Sequence, residues 1–173
     1  MKITIGGLAG SGTSTVSKIL SKKLKIQHID AGQIWDELAL EHNTDILGLS
    51  KIAENDKSID QELDNKMLKY AKSSKNKILE GRLIGALCKQ NNITSFKIWV
   101  AAPVNIRAKR VCQREKSNFQ DTKNKIILRE KSNKKRYLMY YNIDIDDKSY
   151  YDLIINSKNK SPDNIVAIIL NKI

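Results

Sequence analysis

Gly7-Leu8-Ala9-Gly10-Ser11-Gly12-Thr13-Ser14-Thr15 is a run of small residues and hydroxyls whose backbone can close around a phosphate. Glycine matters here because the chain must wrap tightly enough to aim several N–H groups at one anion. A helix starting at the end of the run adds the positive end of its dipole. Ser14 falls where a hydroxyl would reach Mg²⁺ in the pattern GxxxxGK[ST], but Thr13 occupies the place of that pattern's Lys. One cation on the β- and γ-phosphates is therefore missing, and another must replace it. Lys18 lies more than a turn further along the expected helix and points away from the loop, which leaves the arginines downstream.

Those arginines are few and clustered. The chain has only six: Arg82, Arg107, Arg110, Arg114, Arg129 and Arg136. Five lie between residues 105 and 136, where twelve Lys and Arg face three acids and so supply nine of the twelve excess positive charges. Arg offers a planar fork of donors that matches phosphate oxygens, whereas Lys often serves only solubility. Sparing use of Arg thus marks where phosphate is expected to sit.

The elements that must position these groups follow from the apolar pattern. Residues 2–6 alternate and are β-branched, as in a strand, and the glycine run leads into an apolar-periodic helix ending near Leu24. Further strands are expected at 26–29, 77–80, 96–101 and 152–155. Helices are expected at about 33–42, 46–54, 59–72, from Pro103 to Arg114, over 121–141, and from Pro162 to the end. Strands alternating with helices imply an α/β fold, a parallel sheet of about five strands covered on both faces.

Length and composition narrow the function classes. A chain of 173 residues with 40% hydrophobic content suits one domain, 1–173, and no apolar run approaches a membrane span. The opening Met1-Lys2-Ile3-Thr4-Ile5 is too short for a secretory signal core, so the cytoplasm is the expected location. Cys88 and Cys112 are isolated and read as reduced, buried small hydrophobes rather than a zinc site or disulfide. A pI near 9.6 raises nucleic acid as a partner, but only Phe119 and Tyr137 interleave with the basic stretch, which argues against it.

Four segments together, the glycine loop, Asp30-Ala31-Gly32-Gln33-Ile34-Trp35, Glu80-Gly81-Arg82-Leu83-Ile84-Gly85 and Arg129 to Asn156, resemble archaeal-type cytidylate kinases. Their order and spacing carry the resemblance across nearly the whole chain. It implies a P-loop NTPase-type fold with a helical nucleoside-monophosphate segment at about 30–72 and a basic lid at about 114–136. It implies ATP as donor, CMP and dCMP as acceptors, CDP as product and Mg²⁺ as cofactor; a monomer is expected, though no motif speaks to oligomeric state. Gly7 to Thr15 would hold the ATP phosphates, and Ser14 with Glu80 would hold Mg²⁺. Asp30, Gly32, Trp35, Asp36 and Arg82 would meet the acceptor, with Arg82 on its phosphate. Arg129 and Arg136 correspond to paired lid arginines and, with Arg114, are the candidates for stabilising the moving phosphoryl group. The lid is expected to stay open until polyphosphate orders it, because like charges repel.

Two positions depart from the family pattern. Asp36 stands where an Arg clamp is usual, and Asn133 where an Asp between the lid arginines would orient a guanidinium. Another monophosphate kinase, acting on UMP or AMP, is the nearest alternative. His28 and His42 are read as structural, Trp35 and Trp99 as core or pocket wall, and the Asp144, Asp146, Asp147 cluster as a capped turn.

Overall fold

The computed structural model describes residues 1–173. Five strands, β1 (Lys2–Gly7), β2 (Gln27–Asp30), β3 (Lys77–Glu80), β4 (Phe96–Ala101) and β5 (Leu153–Asn156), pair in parallel in the order β2-β3-β1-β4-β5. Ile3, Ile5, Ile78, Ile98 and Val100 are fully buried, as expected of strands covered on both faces. The register sets Ile5 beside Glu80 and Gly7 beside Val100. The carboxyl ends of β1, β3 and β4 therefore open into one crevice, at the point where the strand order turns back on itself.

Eight helices surround the sheet: α1 (Thr13–Leu24), α2 (Ala31–Glu41), α3 (Ile46–Ala53), α4 (Lys57–Lys72), α5 (Ile84–Gln90), α6 (Val104–Glu115), α7 (Phe119–Tyr141) and α8 (Pro162–Leu170). On one face α1 and α8 cover the strands through Val16, Leu20, Ile165, Val166 and Ile169. On the other, Trp99 packs with Leu83, Leu87, Tyr137, Ile143 and Ile145. Helices α2, α3 and α4 enclose a small core of their own around Trp35, Leu38, Leu49 and Ile59.

Several boundaries differ from the sequence reading for local reasons. β2 and β5 each run one residue later than expected. α2 begins at Ala31 rather than Gln33, because the Asp30 carboxylate accepts from the Gly32 N–H at 2.8 Å and caps the helix where the strand stops. α7 begins at Phe119 because Asn118 Oδ1 accepts from the N–H groups of Gln120 and Asp121. α5 was not expected at all. It is seven residues long with Gly85 inside it, where a Cβ would stand 2.7 Å from the Tyr151 ring, so close packing and not helix propensity sets this helix.

Candidate functional site

The loop between β1 and α1 has the backbone that phosphate binding needs. Gly10 and Gly12 have φ of +80° and +102°, and a Cβ on Gly10 would fall 2.5 Å from the Arg107 carbonyl oxygen. The loop's own carbonyls are drawn away from the cleft. Arg107 Nη1 donates to Ala9 O at 3.1 Å, Arg110 Nη1 to Ser11 O at 3.2 Å, and Ser157 Oγ to the same Ser11 oxygen at 2.7 Å. Two of the five clustered arginines are thus turned to the loop's backbone. Arg107, 4% exposed and paired with Glu130 of α7, and Arg110, bonded to Ser157, brace the loop from behind.

At the carboxyl end of β3, Ser14 Oγ donates to Glu80 Oε1 at 2.6 Å, and His28 Nε2 lies 2.9 Å from Glu80 Oε2. Burial alone would raise the Glu80 carboxyl; the hydrogen bonds from His28, Ser14 and Thr13 outweigh it and hold the group below the usual carboxylate range. Asp30 lies beside the pair and is raised, by burial first and by the Glu80 charge second. One ligand atom from each of His28, Asp30 and Glu80 can be found within 4.8 Å of the others. The contact of His28 with Glu80 has no local sequence signal, because the two lie 52 residues apart.

Beyond Glu80 a cleft of about 380 Å³ runs between the loop, α2, α3, α4 and α7, within the range of nucleotide-sized sites. Gly7, Leu8, Ala9, Gly10, Thr13 and Ser14 line one end, and Asp30, Gly32, Trp35, Asp36, Arg82 and Arg129 stand along its length. The Nε atoms of Arg82 and Arg129 are buried without a partner. Arg129 falls to about 10 through burial and then through the charge of Arg82, yet remains cationic at neutral pH. Two guanidinium groups facing one cleft have the chemistry to hold an anion. Asp36 lines the cleft with an exposed side chain, and its charge favours the Arg129 cation.

Arg136 differs from expectation. It is 2% exposed, its Nη1 donates to both Asp60 oxygens at 3.1 and 3.0 Å, its Nη2 donates to Asn133 Oδ1 at 2.7 Å, and it lies over the Trp35 ring. The orienting charge that Asn133 lacks comes from Asp60 on α4. The Arg136 cation therefore has an acidic partner within the protein.

A second cavity of about 300 Å³ lies on the other side of the loop, lined by Gly12, Thr15, Val16, Arg110, Val111 and Lys160 among others. Gly10, Thr13, Ser14 and Arg114 line both spaces. The Arg114 side chain is 69% exposed and bonded only to its neighbour Glu115, so it is free to reach the junction.

A sequence family described as the cytidylate kinase-like family matches residues 2–159. The chain belongs to this family. Among its relatives, the cytidylate kinase of Methanococcus vannielii is 44% identical over 170 residues, covering 98% of this chain and 97% of that one. The cytidylate kinase of Sulfolobus acidocaldarius is 43% identical, covering all of this chain and 94% of that one. Among solved structures, the shikimate kinase of Bacteroides thetaiotaomicron superposes with a TM-score of 0.64 at 13% identity, covering 99% and 97% of the two chains, and so shares the fold. In this cytidylate kinase-like chain, sequence reasoning missed Asp60 and Asp64 as well as His28. The available signal was two acids one turn apart on the apolar face of α4 that also carries Ile59, Leu63 and Met67.

Proposed function

We propose that this family member transfers the terminal phosphoryl group of ATP to CMP, and to dCMP, giving CDP or dCDP and ADP. The observation that carries the proposal is the meeting of two cavities at Gly10, Thr13, Ser14 and Arg114. A donor seated in the smaller cavity would lay its phosphates along the loop Gly7 to Thr15, whose residues 10–15 line that cavity and whose residues 7–9 line the larger one. An acceptor in the larger cleft would hold its phosphate against Arg82 and Arg129 and meet the donor end to end.

In that arrangement an acceptor phosphate oxygen attacks the γ-phosphorus in line, the bond from that phosphorus to the bridging oxygen breaks, and ADP leaves with the electron pair. The acceptor oxygen is already anionic at neutral pH, so no general base is needed. The protein's work is alignment, exclusion of water and compensation of charge on the moving group. Arg129 lies beside the path, and Arg114 stands at the junction and supplies the cation absent at Thr13. Arg136 acts one step back, holding α4 against α7. Ser14 Oγ and Glu80 present hard oxygen ligands 2.6 Å apart next to the loop, a set that fits Mg²⁺, which commonly takes few protein ligands. When bound there, Mg²⁺ would neutralise phosphate charge and orient the donor. Asp30 and Gly32 close the acceptor side, Trp35 forms its wall, and Asp36 attends Arg129.

We also propose that the chain works as a monomeric cytoplasmic domain; no helix in it is long and apolar enough to cross a membrane. ADP release measured with CMP, dCMP, UMP and AMP in turn tests the assignment. CMP and dCMP are expected to lead, and UMP or AMP exceeding CMP tenfold in kcat/KM would overturn the choice of acceptor.

A further inference from the structure

The far end of the larger cleft carries polar atoms that phosphate chemistry does not use. With an acceptor phosphate at Arg82 and Arg129, its base must extend between α3, α4 and α7, where Ile46, Leu63 and Met67 offer apolar flanks to a flat ring. Into the same space face Asp64 and Asn133, 7% and 3% exposed. Asp60, one turn before Asp64, is committed to Arg136, whereas Asp64 has no ion-pair partner; the Tyr141 hydroxyl and the charges of Asp60 and Arg136 are the groups that act on it. The Asn133 amide cannot turn freely, because its Oδ1 accepts from Arg136. Its Nδ2 is thereby directed elsewhere, buried and without a partner. A buried acceptor and a buried, partnerless donor lining one cleft suit the complement of a ligand's polar edge.

We propose that Asp64 and Asn133 read the pairing edge of the acceptor base, the Asp64 carboxylate accepting from the exocyclic amino group of cytosine and Asn133 Nδ2 donating to the ring N3 or O2. This deepens the kinase reading and rests on it. Cytosine presents a donor and then acceptors along that edge. Uracil reverses the first two of these and keeps O2 as an acceptor, setting a carbonyl oxygen against the carboxylate and, at N3, an N–H against the amide donor. The Asp60 to Arg136 to Asn133 chain is what holds the reader in register, so Arg136 is a positioning residue for the base.

The test compares kcat/KM and equilibrium binding of CMP and UMP in the wild type, Asp64→Asn and Asn133→Leu, with ATP-analogue binding as a control. Asp64→Asn, whose amide can turn to donate to the uracil oxygen, is expected to lower kcat/KM for CMP about 10- to 100-fold and to raise it for UMP, with ATP-analogue affinity unchanged. Asn133→Leu is expected to weaken CMP binding about tenfold, and it decides the matter if Asp64→Asn fails to fold. A CMP-to-UMP ratio that stays within threefold of wild type in both folded variants overturns the base-reading proposal alone. A wild type that phosphorylates no pyrimidine nucleotide would instead overturn the kinase reading beneath it.

Discussion

Arg114 and Asp60 show how two charged residues in one cleft can do different work. Arg114 is exposed, shares both cavities and touches only Glu115, so its removal should cost catalysis and little stability. Arg114→Ala is expected to lower kcat by roughly 10²- to 10³-fold with an unchanged melting temperature, as steady-state kinetics and thermal unfolding together would read. Asp60→Ala should do the reverse in kind. It strands the buried Arg136 guanidinium, and urea unfolding is expected to show a loss of about 3–5 kcal/mol. Asp64 adds a pH dependence. Burial, with the Asp60 charge helping, pushes its carboxyl up to about 7, well above its value in an unfolded chain. The folded state therefore holds this proton more tightly, and Asp64's contribution to stability falls as pH rises from about 4 through 7. Asp64→Asn lacks that penalty, so its stability relative to wild type should grow across this window and level off above about pH 8, by roughly 2–4 kcal/mol. A stability difference independent of pH would contradict the assignment.

Among the elements, α7 joins the two halves of the site. It spans about 35 Å, carries Arg129, Asn133 and Arg136, and reaches α3 through the Tyr140 hydroxyl, which donates to Ala53 O at 2.9 Å. Its start depends on the Asn118 cap, and Asn118→Ala is expected to cost about 1 kcal/mol by urea unfolding, without changing the acceptor preference. β1, β3, β4 and the glycine loop were legible in the sequence because short segments rich in β-branched and apolar residues mark strands and a strand-loop-helix phosphate site needs glycine at fixed spacing. α5 was not legible, because packing of Gly85 on Tyr151 overrides weak propensity. The roles of Arg107, Arg110 and Arg136 were not legible either. Their partners, Ala9, Ser11, Ser157 and Asp60, lie far away in the chain, and charge counting cannot separate a brace from a ligand-binding group.

At the scale of the whole molecule, a net charge of +12 surrounds a cleft meant for polyanions. Such a field raises the encounter rate of nucleotides and is screened by salt, so kcat/KM for ATP and CMP is expected to fall several-fold between 50 and 300 mM salt while kcat changes little. Two cavities that meet at one loop suit the proposed direct passage of the phosphoryl group between two ligands held at once. The most direct measurement follows the atom that moves: ATP labelled at the γ-phosphate is mixed with the protein, Mg²⁺ and CMP, and the products are separated. The account predicts label in CDP, dependent on CMP, with little in inorganic phosphate. Label released only as phosphate, or retained entirely in ATP, would contradict it.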